Sequence, residues 1–217
     1  MSCENINECS CPKTECPRYK KCCECVKSHK ERGYLPHCLR PAEKPAMDFF
    51  KAIESRHSYR GAYVDTDIPE SDLIKILDAG IRAPSGCNAQ TTSFVLVTNP
   101  ELRAKISEVL VSKAVRTAPA LIIVATEKVK FDFGLDFELE DYGAAVENIL
   151  LAATALGYAS CWFDGMTRLN GVCDAIAKIL DVPPEKQVRC VLPVGVPLEQ
   201  GTQAGRKPFV DRVDWRK

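Results

Sequence analysis

The chain of 217 residues is long enough for one full-sized domain and a small appendage. Its 46% hydrophobic and 27% charged residues are typical of a folded globular protein, and 29 basic residues balance 29 acidic ones. The balanced charge, the lack of a long apolar run and an N-terminus without a signal-peptide pattern argue against nucleic acid or a membrane as partner and favour a cytoplasmic location.

The cysteines divide the chain into two regions. Eight of the 12 lie at or before Cys38, and the other four (Cys87, Cys161, Cys173 and Cys190) are scattered. In a reducing cytosol, clustered thiols mark a metal site more often than disulfides. We therefore expect a Cys/His-rich metal-binding module over residues 1–40 and interpret the scattered cysteines as small core residues.

The spacing within this N-terminal module indicates how a metal would be bound. Cys22, Cys25 and His29 fall at i, i+3 and i+7, which places them on one face if the segment is helical. Flanking loops can complete a tetrahedron, so the predicted metal ligands come from Cys16, Cys22, Cys25, His29 and Cys38. Such a set favours structural zinc. An iron–sulfur cluster is an alternative, although the ferredoxin spacing is missing, and unmetallated thiols are another.

The helices of the main region follow a linker over residues 39–46, where prolines and mixed charge separate it from the module. The segment "MDFFKAIESR" predicts a first helix. Residues 69–82 form the clearest amphipathic helix, with Pro69 at its start. Its apolar stripe consists of Leu73, Ile76, Leu77 and Ile81.

Three β-branched segments, "SFVLVT", "ALIIVAT" and "VRCVLPVGV", predict strands that lie in the middle of a covered sheet. Further helices are expected at 101–111, 141–157 and 171–180. The second of these is apolar on nearly every face, which predicts a helix buried all round. It lies either at the centre of the domain or in a subunit interface.

Three stretches contain side chains suited to bind a ligand. In "ESRHSYRG", Arg56, Ser58 and Arg60 alternate, so an extended backbone directs all three to one side, as a phosphate site needs. The loop "APSGCNAQTTSF" offers a hydroxyl and two amides that suit the edge of a heterocycle. A basic pair follows a Gly-containing loop near the C-terminus. Alone, the R-x-S-x-R run and the basic pair are typical of solvated surface, and the loop is equally compatible with a polar turn.

In this order, together with "DYGAAVENILLAATALGYASCWFDG" and the "PVGVP" strand, these stretches resemble the nitroreductase family of flavin enzymes over residues 47–212. The resemblance implies an α+β fold with a mostly antiparallel central sheet flanked by helices. It also implies an intertwined homodimer that binds FMN at each of two interface sites, with the 141–157 helix in the dimer interface. The chain departs from the family where Thr91 and Thr92, instead of Pro-Trp, follow Gln90.

The family's site residues transfer to this chain position by position. The resemblance implies that the R-x-S-x-R segment and the C-terminal basic pair contact the FMN phosphate and ribityl chain. It also implies that the "APSGCNAQTTSF" loop of the partner protomer contacts the flavin or the ribityl chain, and that the "WFDG" segment passes beside the flavin ring. The implied cofactor-binding residues are Arg56, Ser58, Arg60, Pro84, Ser85, Asn88, Gln90, Asp164, Gly165, Arg206 and Lys207. No dedicated catalytic acid or base is expected, because the flavin carries the hydride chemistry.

The expected activity is ping-pong transfer of a hydride from NAD(P)H through FMN to an acceptor such as a nitroaromatic or a quinone. The sequence contains no G-x-G-x-x-G, so no separate nicotinamide domain is expected in the 47–217 region. Two alternatives stay open at this stage. One is a metal-dependent sensor or interaction protein that binds flavin without NAD(P)H turnover, and the other is an iron–sulfur/flavin electron-transfer protein.

The metal site can be tested by changing Cys25 or His29 to Ala in the full chain. Each change should release the metal and unfold the module, because so short a segment depends on metal for its folding energy, and FMN should stay bound. Metal content by mass spectrometry and flavin content by absorbance measure the two effects. Cys23→Ala, which alters a thiol outside the predicted set, is the control. Loss of flavin together with metal would show that the two regions are not independent.

Overall fold

The computed structural model describes residues 14–31, 36 and 46–216, apart from the side chain of Cys22. The chain divides into two compact units, Met1–Lys44 and Pro45–Lys217. No helix within the described ranges is both long enough and apolar enough to cross a membrane.

The described part of the first unit is a turn followed by helix α1, Cys22–Glu31. The turn is closed by a 2.8 Å hydrogen bond from the Tyr19 N–H to the Cys16 carbonyl. The helix that the cysteine spacing required is therefore present, and Cys25 and His29 are half-buried on it.

The predicted metal site is not supported by the side chains that the structure describes. Among them, no group of three or more His, Cys, Asp or Glu residues is arranged to hold a metal ion. Cys38 and the side chain of Cys22, two of the five predicted ligands, lie outside the described residues. Zinc binding is thus a prediction that only the experiment above tests.

The second unit contains the helices that the sequence periodicity predicted, each within a few residues of the expected bounds. They are α2 (Phe49–Ser55), α3 (Glu70–Ile81), α4 (Pro100–Val109), α6 (Glu138–Ala155) and α7 (Val172–Ile179). The structure adds α5, Lys113–Thr117, which is too short to show a hydrophobic period.

Side-chain caps fix two of these helix starts. The Asp48 carboxylate accepts hydrogen bonds from the N–H groups of Phe50 (3.0 Å) and Lys51 (3.3 Å) at the start of α2. The Asn99 amide oxygen does the same for Glu101 and Leu102 at the start of α4, where Pro100 occupies the first helical position.

Four strands form one sheet in the described part of the chain, in the order β1-β2-β4-β3. Their bounds are β1 Thr92–Val97, β2 Ala120–Glu127, β3 Ala159–Ser160 and β4 Lys186–Gly195. Every strand pair is antiparallel, as the family resemblance implied. β3 has only two residues and was not predicted.

The expectation that all three predicted strands are central and covered is wrong for β1. β2 is buried along nearly its whole length, but β1 pairs only with β2 among the described strands and is half-buried. An edge strand has one neighbour, so its outer side keeps partial contact with solvent.

The sheet separates two apolar layers. On one face lie α4, α5 and α7, whose side chains join a core with Leu121, Ile123 and Val191. On the other face, α3 and α6 pack over Ile122, Val124 and Leu192.

Two details of the α3–α6 contact differ from the sequence expectation. Ile81 was assigned to the apolar stripe of α3 but is 66% exposed, because Gly80 makes the close contact instead. A Cβ on Gly80 would lie 2.8 Å from Ile149, so the two helices approach at this glycine. Helix α6 is also not buried all round in the described chain, since Glu147 is exposed and Gly143 and Ala144 are half-exposed.

Candidate functional site

The segment that contains Arg56, Ser58 and Arg60 leaves α2 and runs beside β3. Arg56 is the C-cap residue of α2. Ser58 forms a parallel bridge with Ser160, and the Tyr59 N–H donates a 3.0 Å hydrogen bond to the Ser160 carbonyl. Tyr59 is buried, whereas Ser58 and Arg60 are exposed, so the extended backbone separates a core side from a polar side.

The two arginines of this segment lie in different electrostatic environments. The Arg56 Nε lies 3.4 Å from Oε1 of Glu147 on α6, and the Arg56 side chain is 18% exposed. Arg60 is exposed and has no salt-bridge partner among the described residues. The charge of Arg60 is therefore available to an anion, whereas that of Arg56 is partly compensated.

The C-terminal basic pair is tethered to the same region. The Gln203 side-chain amide donates to the carbonyls of Ile53 (3.1 Å) and Arg56 (2.8 Å). Gly201 packs so closely on the His57 ring that a Cβ there would collide with it. Arg206 and Lys207 follow within four residues of Gln203 and are exposed. These contacts bring the loop that precedes the basic pair to the end of α2.

Buried polar groups lie at the end of β3 and directly after it. Ser160 is 4% exposed, and its hydroxyl has no hydrogen-bond partner in the described structure. Burial raises the pKa of the Cys161 thiol. The charge of Arg60, a hydrogen bond with Ser58 and the charge of Arg56 each lower this pKa, but by less than burial raises it. Cys161 is thus a buried thiol beside the basic segment.

Cys190 is also buried and Cys173 half-buried, but Cys87 is exposed, contrary to the expectation that all four scattered cysteines are core residues.

Asp164 and Gly165 begin a tight turn over residues 164–168. The Asp164 carbonyl accepts from the N–H groups of Thr167 (3.1 Å) and Arg168 (3.2 Å). The Gly165 N–H donates to no group among the described residues, and no atom lies within 4 Å of where a Cβ of Gly165 would stand. This turn therefore presents an open backbone donor at an exposed position.

The Asp164 carboxylate is bound by two residues that the sequence did not single out. Arg168 donates to it from Nε (2.5 Å) and Nη2 (2.7 Å), and the Tyr142 hydroxyl donates to Oδ2 at 3.1 Å. Tyr142 lies on α6, 22 residues away in sequence, so no local pattern reveals the contact.

The loop over residues 83–92 contains Pro84, Ser85, Asn88 and Gln90 and adopts an unusual backbone. Cys87, Asn88 and Gln90 have φ angles of 51°, 54° and 53°, in the left-handed region that few residues other than glycine adopt. The Ser85 hydroxyl accepts a 3.0 Å hydrogen bond from the Gln90 N–H across the loop. Backbone strain of this kind clusters at functional sites.

Asp141 on α6 holds this loop in place. Its carboxylate accepts 2.7 Å hydrogen bonds from the Gly86 N–H and from the Thr91 hydroxyl, and the residue is 4% exposed. Phe137 packs against Gly86 and leaves no space for a side chain there. Sequence reasoning missed Asp141, although a carboxylate at the start of an apolar helix was the available signal.

A cavity of about 130 Å³ opens beside the 83–92 loop. Loop residues and the neighbouring face of α6 form its walls, and the Thr92 hydroxyl is buried without a hydrogen-bond partner in the described structure. Its lining includes Ala83, Pro84, Ser85, Gln90, Thr92, Asp141 and Ala145.

Helix α6 thus organises the predicted site residues within the chain. Asp141 binds the 83–92 loop, Tyr142 binds the 164–168 turn, and Glu147 binds Arg56. The arrangement offers the exposed cation of Arg60 in the segment that follows α2 and an open N–H at Gly165. These are the groups that a ligand with a phosphate and a heterocycle needs.

The chain is similar in sequence to a known protein family. The model of the nitroreductase family matches residues 53–115 and 110–196. A protein of Methanothermobacter thermautotrophicus, named as an NADH dehydrogenase/NAD(P)H nitroreductase, is 35% identical over 173 residues, which cover 79% of this chain and 88% of that protein.

Two solved structures are similar across the same region. An FMN-dependent nitroreductase of Clostridium difficile superposes with a TM-score of 0.66 at 25% identity, covering 77% of this chain and 99% of that one. A Desulfovibrio desulfuricans protein solved in complex with FMN gives a TM-score of 0.66 at 25% identity and covers 78% and 96% of the two chains.

Substitution of Asp141 tests whether its carboxylate holds the strained 83–92 loop in place. Asp141→Ala removes two hydrogen bonds to a charged acceptor, each worth about 1.5–3 kcal/mol, so residues 84–91 should exchange their amide hydrogens much faster. Hydrogen–deuterium exchange read by mass spectrometry measures the effect. Asp141→Asn keeps an oxygen acceptor for Gly86 and should exchange more slowly than the Ala variant. Unchanged exchange in Asp141→Ala would show that other contacts hold the loop.

Proposed function

Because the chain belongs to the nitroreductase family, we propose that it is an FMN-dependent oxidoreductase that transfers a hydride from NAD(P)H to a small acceptor such as a nitroaromatic or a quinone. The observation that carries the proposal is that the segment beside β3, β3 itself and the turn that follows it carry an unpaired arginine, a buried hydroxyl without a partner and an open backbone N–H. These groups belong to Arg60, Ser160 and Gly165.

The residues present fit FMN. Its phosphate requires cationic donors, which Arg60 and the exposed pair Arg206 and Lys207 supply, with Arg56 and the Ser58 hydroxyl beside them. Ser160 at the end of β3 and Gly165 in the 164–168 turn are five residues apart in sequence, and both carry a polar group without a partner among the described residues. The bound flavin would supply reversible acceptance of a hydride.

The chain's own residues bind and orient in this proposal. The Gly165 N–H would donate to the reactive edge of the flavin, and Asp164 contributes its backbone to the same turn. Its carboxylate is bound by Arg168 and Tyr142 and is not assigned as a base. No residue is proposed as a dedicated acid or base, in line with hydride chemistry performed by the cofactor.

We propose that Pro84, Ser85, Asn88 and Gln90 reach the FMN of the other protomer in an intertwined homodimer. Exposed apolar side chains support this proposal, since a dimer would cover them. They include Phe49 (60%) and Phe50 (71%) on α2 and Phe209 (65%), Val210 (81%) and Trp215 (70%) near the C-terminus.

Nicotinamide and acceptor would use one pocket in turn. The sequence contains no G-x-G-x-x-G, so nothing in it indicates a second nucleotide domain over residues 47–217. Alternating occupancy is a ping-pong scheme. A separate metal-binding module over residues 1–40 and a cytoplasmic location complete the proposal, and both are predictions from the sequence.

The proposed activity is tested with the purified full chain. We expect one FMN per protomer, oxidation of NADH or NADPH in the presence of a quinone or nitroaromatic, and parallel lines in double-reciprocal plots, as ping-pong kinetics requires. Stoichiometric flavin without turnover would overturn the oxidoreductase proposal in favour of a flavin-binding sensor. Broad visible absorbance beyond the flavin bands would instead indicate an iron–sulfur electron-transfer protein.

The phosphate site is tested by Arg60→Ala. Because Arg60 has no salt-bridge partner among the described residues, its loss should remove a charge-assisted hydrogen bond of about 1.5–3 kcal/mol and weaken FMN binding tenfold to hundredfold. Arg60→Lys should recover part of the affinity, since charge remains without the bidentate geometry. Titration of apoprotein with FMN, followed by quenching of flavin fluorescence, gives the Kd.

Two further variants make the phosphate test specific. Arg116→Ala removes an exposed arginine on α5 and should leave the FMN affinity unchanged. Glu147→Gln removes the carboxylate that compensates Arg56 and should tighten FMN binding. Full flavin retention at micromolar dilution in an Arg56→Ala/Arg60→Ala double variant would place the phosphate site elsewhere.

A further inference from the structure

Three side chains form a closed cluster next to Gly165. Arg168 contacts both oxygens of Asp164, at 2.5 Å and 2.7 Å, and also donates to the Tyr142 hydroxyl at 3.0 Å. The Tyr142 hydroxyl in turn donates to Asp164 at 3.1 Å. Each polar group of the cluster therefore has a partner within it.

The cluster is anchored on the core side and open on the other. Tyr142 is 4% exposed and its ring meets the edge of Trp162 at a centroid distance of 5.9 Å. The Asp164 side chain is 22% exposed and that of Arg168 is 57% exposed. Burial, then the Asp164 carboxylate, raises the pKa of Tyr142, so this hydroxyl keeps the proton that it donates.

Thr167 holds the same turn through contacts with Asp164 and with β4. The Thr167 hydroxyl lies 2.5 Å from the Asp164 carbonyl oxygen and 2.8 Å from the Arg189 carbonyl oxygen on β4, and Thr167 is fully buried. The Thr167 hydroxyl and the N–H groups of Thr167 and Arg168 hold the backbone of the turn, so the turn is closed without the Arg168 side chain. Its specific effect is to cancel the charge of Asp164.

We infer that Arg168 and Tyr142 are positioning residues that neutralise Asp164 and keep the Gly165 N–H directed at the reactive edge of the flavin. The inference rests on the proposed function. It assigns to Arg168 control over how readily the bound flavin is reduced.

The physical reason is electrostatic. Reduction adds negative charge to the flavin ring, and an uncompensated carboxylate close to the ring opposes that addition. With Arg168 bound to both of its oxygens, Asp164 forms an ion pair that has no net charge. Loss of the guanidinium alone should therefore make the bound flavin harder to reduce, whereas loss of both charges should not.

The experiment compares the midpoint potential of bound FMN in wild type, Arg168→Gln and the Asp164→Asn/Arg168→Gln double variant. We expect a shift to more negative potential in Arg168→Gln and a return close to the wild-type value in the double variant. Arg168→Lys, which keeps the charge, should retain most of the wild-type potential. Tyr142→Phe removes one donor to Asp164 and should give a smaller shift of the same sign.

The matched control is Arg82→Gln. Arg82 and Asp78 form an exposed i,i+4 pair at 2.6 Å, the same spacing as Arg168 and Asp164, but at the end of α3. This variant should leave the potential unchanged. A merely structural role of Arg168 would lower thermal stability or FMN affinity without a potential shift that the second substitution reverses.

Different outcomes would overturn the role of Arg168 and the proposed FMN-dependent function. Arg168→Gln with FMN bound at the wild-type potential, or a double variant that stays shifted, would overturn this inference alone. A wild-type chain that binds no FMN would overturn the proposed function and the inference with it.

Discussion

The site depends on the polar residues of one largely apolar helix. α6 packs its apolar side into the core, yet Glu138 and Asp141 are each 4% exposed. A buried carboxylate is stable only with hydrogen-bonding or charged partners, so the chain segments that supply them are drawn to the helix. Asp141 binds the 83–92 loop in this way, and Glu138 binds Arg189 and Thr126.

The contact of Glu138 extends this constraint to the sheet. Val124 pairs with Cys190 and Ala125 with Val188, which leaves Arg189 as the extra residue of a β-bulge. Bulges turn a side chain away from the regular alternation, and here the guanidinium reaches Glu138 while the Arg189 carbonyl accepts from Thr167. The 164–168 turn is therefore linked through one β4 residue to the start of α6.

The sequence predicted most elements but few of these links. Periodicity located α3 and α6, because hydrophobic spacing is a local property, whereas α5 and β3 are too short to have a period. Tyr142 and Asp164 are 22 residues apart, and Asp141 and Gly86 are 55 apart. Contacts of that separation arise when a loop and a turn pack against α6 in the folded chain, and local spacing in the sequence does not reveal them.

The strained loop shows why such links matter for the proposed site. Three residues other than glycine in the left-handed region cost about 1–2 kcal/mol each, and the two hydrogen bonds to Asp141 supply stabilisation of the same order. Glycine at Asn88 and Gln90 would relieve the strain, but it would remove the amides that give the loop its donors and acceptors. The buried carboxylate thus permits side chains where the backbone favours glycine, and a contact with the core determines which side chains the loop presents.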